Sequence, residues 1–457
     1  MAPRTSPVVA GVAVLLTALP LFGGCGSSSS GSNGGAPDGG GTSSGASSSG
    51  GGSSGAGSSS SGGASSSSGA SGSSSGSTTS GDSGAFPTPG NPDGSCKTLT
   101  LPGEAHLVDT SKPTTVVGSG TPASCTFAAL DAAVKKGGIV TFDCGPSAVT
   151  IPVTATLVPP VSTGSAAPVN VVLDGGGTVT LDGQGSVRIL AWMHNTWRTS
   201  KDTLTLQRIR LTNGKATPTQ AIAACPPSGS IDNSQCSTGY NDGQGGALNM
   251  QDGSLRVIDS LFDHNQAALL GPDTGGGALY LVGTGVPSYI AGSTFSDNTA
   301  SNAGGIGMLW AGAFVYNSLF TGNTAVGTGA NNNDATKCTC NNGNNKNQIG
   351  SGGNGGAIYK DGGDAAALTI CGTEIKGNSA KEFGPAVFFT ADGSGAQLVI
   401  DDSTITGNST PIPYWQWCTG VSTDNPHASG SSTGSPSPVN TTFCDASGGA
   451  CASTCSS

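Results

Sequence analysis

Between residues 245 and 408 one short pattern is written five times, and no other feature restricts the fold of this chain so strongly. Each copy opens on small residues: Gly245-Gly246-Ala247-Leu248, Gly276-Gly277-Ala278-Leu279, Gly304-Gly305-Ile306-Gly307, Gly355-Gly356-Ala357-Ile358 and the variant Gly384-Pro385-Ala386-Val387. Each closes on a large apolar residue with an asparagine three positions later: Phe262 with Asn265, Phe295 with Asn298, Phe320 with Asn323, Ile375 with Asn378, Ile405 with Asn408. The closing asparagines are 33, 25, 55 and 30 residues apart. That spacing fits a coil of about 25 residues with loops inserted, the mark of a stacked repeat.

Counting back from each asparagine gives recurrent columns. Val257, Ile290, Val315, Ile370 and Ile400 form one, and the closing Phe/Ile residues form another; both point inward. Between them stand a turn column (Asp259, Gly292, Asn317, Gly372, Asp402) and a hydroxyl column (Ser260, Ser293, Ser318, Thr373, Ser403). Like residues stacked every ~4.8 Å form ladders, apolar ones excluding water and amides or hydroxyls bonding to the copies above and below. The asparagines 265, 298, 323, 378 and 408 are therefore read as a structural ladder that also tolerates left-handed turn geometry. An imperfect earlier copy runs from Leu204 through Leu206, Ile209 and Leu211 to Asn213.

Two long polar insertions, 217–244 with Cys225 and Cys236, and 327–352 with Cys338 and Cys340, each fall between a closing asparagine and the next opening. They should leave the stack on one side, where such folds place binding surfaces. Ahead of the coils, Phe127, Leu130 and Val134 fall at helical spacing, Lys135 and Lys136 sit in the last turn, and Gly137 can end the helix. This short amphipathic helix suits a cap on the open end of the stack. An immunoglobulin-like sandwich is the alternative, but its strands lack this recurrent register.

The ends of the chain read differently. Arg4, an apolar run from Val8 to Phe22, and Gly23-Gly24-Cys25 form a secretory leader too short to span a bilayer. Small residues around Cys25 resemble the bacterial lipoprotein signal, which implies cleavage before Cys25 and lipid on its sulfur; Phe22 departs from the usual leucine. An ordinary signal peptide, giving a secreted protein, is the alternative. Residues 26–90 are nearly all serine and glycine, too poor in apolar groups to fold alone. As a tether of roughly 60 residues they would reach on the order of 40–45 Å. The organisation expected is a signal (1–25), a disordered tether (26–90), an N-terminal cap region (91–138), the coils (139–417) and a cysteine-containing tail (418–457).

Thirteen cysteines, twelve of them outside the leader, fit an exported, oxidised protein. The spacing of Cys338 and Cys340 is too short for paired zinc thiolates. A net charge of -10 excludes nucleic acid as the main partner.

The Gly-Gly-Ala-Ile and Phe-x-x-Asn signatures resemble the polymorphic outer membrane protein repeat, carried on right-handed parallel β-helices of the pectin-lyase-like superfamily. Leu173-Asp174-Gly175-Gly176-Gly177 and Arg188-Ile189-Leu190 look like first coils of bacterial members. The resemblance covers about residues 120–410. It implies an all-β right-handed parallel β-helix at the outer membrane or cell surface, with an adhesive role toward polysaccharide or a cell-surface protein. Without an evident C-terminal barrel, the lipid at Cys25 would anchor it to the membrane.

The same superfamily holds polysaccharide lyases and hydrolases, the alternative function. Of the hydrolase motifs only an Asp-Asp pair, Asp401-Asp402, occurs, in the turn region of an ordinary repeat. A lyase would need calcium on several carboxylates and a basic residue. Asp259, Asp263 and Asp297, with Arg256 and His264, are the residues that would supply them. His194 and His264 stand alone in sequence, and structural roles suit both. No catalytic residue is assigned, and no cofactor is expected outside the calcium of a lyase. Trp415 and Trp417 form the one aromatic cluster; they suit a cap over the last coil, and also stacking on a sugar ring.

Overall fold

The computed structural model describes residues 85–164, 166–219, 241–271, 274–327, 352–362, 366–390 and 396–409. It also describes the strand backbone at Ser230–Ile231, Thr339–Cys340, Gln416–Cys418, Val421–Thr423 and Thr442–Phe443. The chain is an all-β parallel β-helix, with a single α-helix among the described residues, ahead of the coils.

Each coil of the repeat lays down three main strands, one on each of three faces, and three coils add a two-residue strand after the asparagine, Thr299–Ala300, Thr324–Ala325 and Ser379–Ala380, which pair in parallel. Face A stacks Leu248–Gln251, Leu279–Val282, Ile306–Leu309, Ile358–Asp361 and Val387–Phe389 in parallel register. Face B stacks Ser254–Ile258, Ser288–Ala291, Ala313–Tyr316, Leu368–Cys371 and Leu398–Asp401. Face C stacks Leu261–Asp263, Thr294–Ser296, Leu319–Thr321, Glu374–Lys376 and Thr404–Thr406. Between faces the backbone must turn sharply, and it does so with single left-handed residues. Asp259, Gly292, Asn317, Gly372 and Asp402 all have φ between 47° and 64°. The turn column read from the sequence is therefore the corner from face B to face C.

The inward columns hold the core. All ten of the Val/Ile and Phe/Ile residues named above are fully buried. Phe262, Phe295 and Phe320 stack ring on ring at 5.0 and 4.8 Å, nearly parallel. The hydroxyls form a second ladder: Ser260 N donates to Ser293 Oγ, Ser293 N to Ser318 Oγ, Ser318 N to Thr373 Oγ1 and Thr373 N to Ser403 Oγ, all at 3.1–3.3 Å. In the asparagine ladder Nδ2 of Asn265, Asn298, Asn323 and Asn378 donates to the next Oδ1 at 2.9–3.0 Å. The same nitrogens reach back to carbonyls of the preceding coil, at Leu211, Phe262, Phe295 and Phe320. These amides are buried, so each bond they make replaces water that cannot reach them.

Two readings of the repeat need correction. The ladder asparagines are not left-handed; the positive φ falls one residue earlier, at His264, Asp297, Gly322, Gly377 and Gly407. The bend takes one position and the amide ladder the next. The third copy is also offset by one, because Ile306 pairs with Leu279 and Ile358. Its left-handed opening residue is thus Ala303 (φ 51°), the counterpart of Gly245, Gly276, Gly355 and Gly384. In the earlier copy, Asn213 occupies the bend (φ 53°) and Gly214 N donates to Asn265 Oδ1, so the ladder begins at Asn265.

The helix α1 spans Phe127–Lys136. Thr126 caps it by accepting from Ala129 N, and Gly137 (φ 72°) ends it. Leu130, Ala133 and Val134 face the core, and Cys125–Cys144 ties its start to the following strand, Gly138–Asp143.

Residues 85–114 form an external strap rather than part of a cap. Phe86 N donates to Gly177 O beside the first coils, Gly90 N to Thr294 Oγ1, and Asn91 N to Asn317 O. At the far end Lys97 N and Thr98 N donate to Asp402 Oδ2, and Cys96 is disulfide-bonded to Cys371. The chain then returns over face B, packing Leu99, Leu101 and Ala105 on Ile258, Ala291 and Tyr316. It reaches Gln207 at Val108 and Asp174 at Thr110 before joining the sheet at Thr115–Gly118.

Candidate functional site

The two long insertions converge as expected. Their strands Ser230–Ile231 and Thr339–Cys340 pair in parallel, so both leave the stack on one side, at the corner following the asparagine ladder. Their bases are fixed. The half-buried Arg188 guanidinium donates to the carbonyls of Asp242, Gln244 and Gly245, and desolvation lowers its pKa. Asp242 in turn accepts from Thr219 N and Oγ1, closing the first loop at its root. Gly327 N and Gly353 N both donate to Ser301 O, closing the second.

Beside these roots lies a shallow groove of about 290 Å³ bordered by Lys215, Pro218, Gln266 and Ala268. Its lip is Leu269 and Leu270, 42% and 39% exposed. The loop positions are legible in the sequence, whereas the grip of Arg188 on the loop root, Ser301 and this lip are not, because none of them recurs in the repeat.

The residues considered for a lyase are dispersed. Asp263 is buried on face C, where Arg210 binds it through Nε and Nη2 at 2.8 and 2.7 Å and Thr212 Oγ1 donates to it. Burial raises its pKa, but the bonds from Arg210, His264 and Thr212 outweigh that and hold it below the usual range. Asp259 lies at the other corner of face C, half-buried, its pKa raised by burial with partial relief from Arg208. Arg256 stands on face B against Tyr289. Asp297 is exposed, in the same bend column as His264. No group of three carboxylate, imidazole or thiol side chains that could hold a cation occurs here; among the described residues the only such trio is Cys96, Cys371 and Asp402, whose thiols are spent in a disulfide.

His264 is 60% exposed, with Nδ1 2.9 Å from Asp263 Oδ2, an imidazole oriented by a buried carboxylate. His194 is buried, with Nε2 3.0 Å from Asp202 and Nδ1 2.8 Å from Gln251 O. Asp202 also accepts from Ser162 N and Val169 N, and these bonds outweigh burial to lower its pKa. Asp252 gathers Thr196 Oγ1, Thr199 N, Ser200 N and Gly253 N, with the same effect. His194 thus belongs to a saturated internal network that fastens residues 194–202 to the first coils. Asp402 is likewise spent, as the strap's anchor.

Cys25 and Trp415 lie outside the described residues, as does the side chain of Trp417, whose backbone is in the strand Gln416–Cys418 that closes face A. Among the described residues no helix is long and apolar enough to cross a membrane. No family model, curated protein or solved structure matches the chain.

Proposed function

We propose that the protein is a surface-displayed, lipid-anchored binding protein of the polymorphic outer membrane protein repeat type, whose loop-bearing corner contacts a polysaccharide or another cell-surface protein. The observations that carry this reading are the parallel pairing of Ser230–Ile231 with Thr339–Cys340 and the exposure of Leu269 and Leu270 beside the root of the first insertion. Every recurrent residue has a structural occupation, so recognition falls to the residues that do not recur. Lipid on Cys25 and the tether behind it would hold this corner away from the membrane, with no cofactor required.

A polysaccharide lyase or hydrolase is the second reading, favoured by His264, which pairs an exposed ring with a buried carboxylate in the manner of a general base. The two separate in one experiment. The full chain is incubated with a panel of immobilised glycans and intact cells, with and without calcium, and both retention and release of unsaturated or reducing ends are recorded. Binding that L269D/L270D lowers at least tenfold, without product, supports the first reading. Product formation abolished by His264→Ala would replace it with the second. Incorporation of labelled fatty acid lost in Cys25→Ala tests the anchor.

A further inference from the structure

The strap has a mechanical peculiarity. Its chain enters beside the first coils, at Gly177, travels to the last coil at Asp402, and only then doubles back to begin the fold. The single covalent tie along this course, Cys96–Cys371, stands at the turning point and spans 275 residues of sequence. The other fastenings are hydrogen bonds, one or two at a point, and small apolar contacts: Gly90 to Thr294, Asn91 to Asn317 and Gly372, Lys97 and Thr98 to Asp402, Val108 to Gln207, Thr110 to Asp174, and Ala105 on Ile258. Hydrogen bonds met one at a time by a peeling chain are each worth about 1 kcal/mol and fail in sequence.

We infer that the Cys96–Cys371 disulfide is a mechanical clasp, which passes tension arriving at the N-terminal end of the strap straight into face B of the fourth repeat coil, at Leu368–Cys371. Without it, a pull on residue 85 would strip the strap to Thr114, then draw on the strand Thr115–Gly118 and the helix α1, opening the stack from its capped end. With it, stripping halts at Cys96 and the load enters a strand bonded on both sides, Leu368–Cys371 between Ala313–Tyr316 and Leu398–Asp401. The inference gains its biological sense from the tethered reading above, but its test needs neither lipid nor ligand.

The test is single-molecule stretching of the full chain between handles at Ser27 and Asp273. In Cys96→Ser, an early low-force step should release roughly 30 residues, or ~100 Å at about 3.4 Å per residue. The oxidised wild type should lack that step, and Cys125→Ser/Cys144→Ser should behave like the wild type. Should Cys96→Ser fail to fold, folded wild-type protein treated with reductant on the instrument must gain the step. The early step in oxidised protein, or its absence after both substitution and reduction, would overturn the clasp. Failure of the binding or labelling assays would leave this result unaffected.

Discussion

The coils from residue 245 onward and the region from residue 85 to 212 solve the same problem by different means. In the coils each contact is repeated by translation: Phe on Phe, Ser to Ser, Asn to Asn. In the earlier region almost no contact is used twice. It is held by Cys125–Cys144, by Arg208 gripping Asp174, by His194 on Asp202, and by a strap that reaches to the last repeat coil at Asp402. A stack needs no special chemistry where a neighbour presents the same surface, and it needs singular chemistry where the series begins. Charges are accordingly concentrated in the early half and its junction with the first repeat coil, and neutral amides and hydroxyls in the rest.

Substitutions should expose this difference. The largest loss is expected from Phe295→Ala, which opens a cavity between two stacked rings; chemical denaturation should show about 3–5 kcal/mol. Asn323→Ala should cost roughly 3 kcal/mol by the same measurement, since Asn298 N, one Nδ2 hydrogen of Asn298 and Phe295 O all lose the partner that Asn323 supplies. Asn408→Ala, at the end of the ladder, should cost about half as much.

Acid should act on the other region. Asp174, Asp202, Asp252 and Asp263 all sit below their usual 3.8 in the folded chain. A depressed folded pKa contributes stability that is complete above the unfolded value and is lost as pH falls through the folded value. Hydrogen-exchange protection, corrected for intrinsic rates, should therefore drop between pH 4 and pH 2 first around residues 160–212. The asparagine ladder, which does not titrate, should keep its protection longest. The smallest effect is expected at the exposed Lys135–Asp131 pair, where Lys135→Ala should change stability by less than ~0.5 kcal/mol.

The same contrast governs what could be read from sequence. The inward columns, the hydroxyl ladder and the sidedness of the insertions were legible because translation writes each of them several times. The helix was legible from Phe127, Leu130, Val134 and Gly137, a local pattern. The one-residue offset at Ala303 was not, because Gly304 and Gly305 offer two equal alignments and only strand register selects one. The strap was invisible for another reason: nothing near Cys96 announces a partner 275 residues away. At the candidate site the positions of the loops were legible, while Arg188 and Ser301, which fix their roots, make contacts that depend on the closed coil.

Cooperation between like residues up the stack is read out by a double-mutant cycle on the asparagine ladder. Stability is measured for Asn298→Ala, Asn323→Ala and the double variant, and for Asn265→Ala, Asn408→Ala and their double variant. The adjacent pair should show a coupling of about 1 kcal/mol or more and the separated pair none beyond ~0.3 kcal/mol. Strict additivity of Asn298 and Asn323 would contradict the ladder, leaving each asparagine as an independent turn residue.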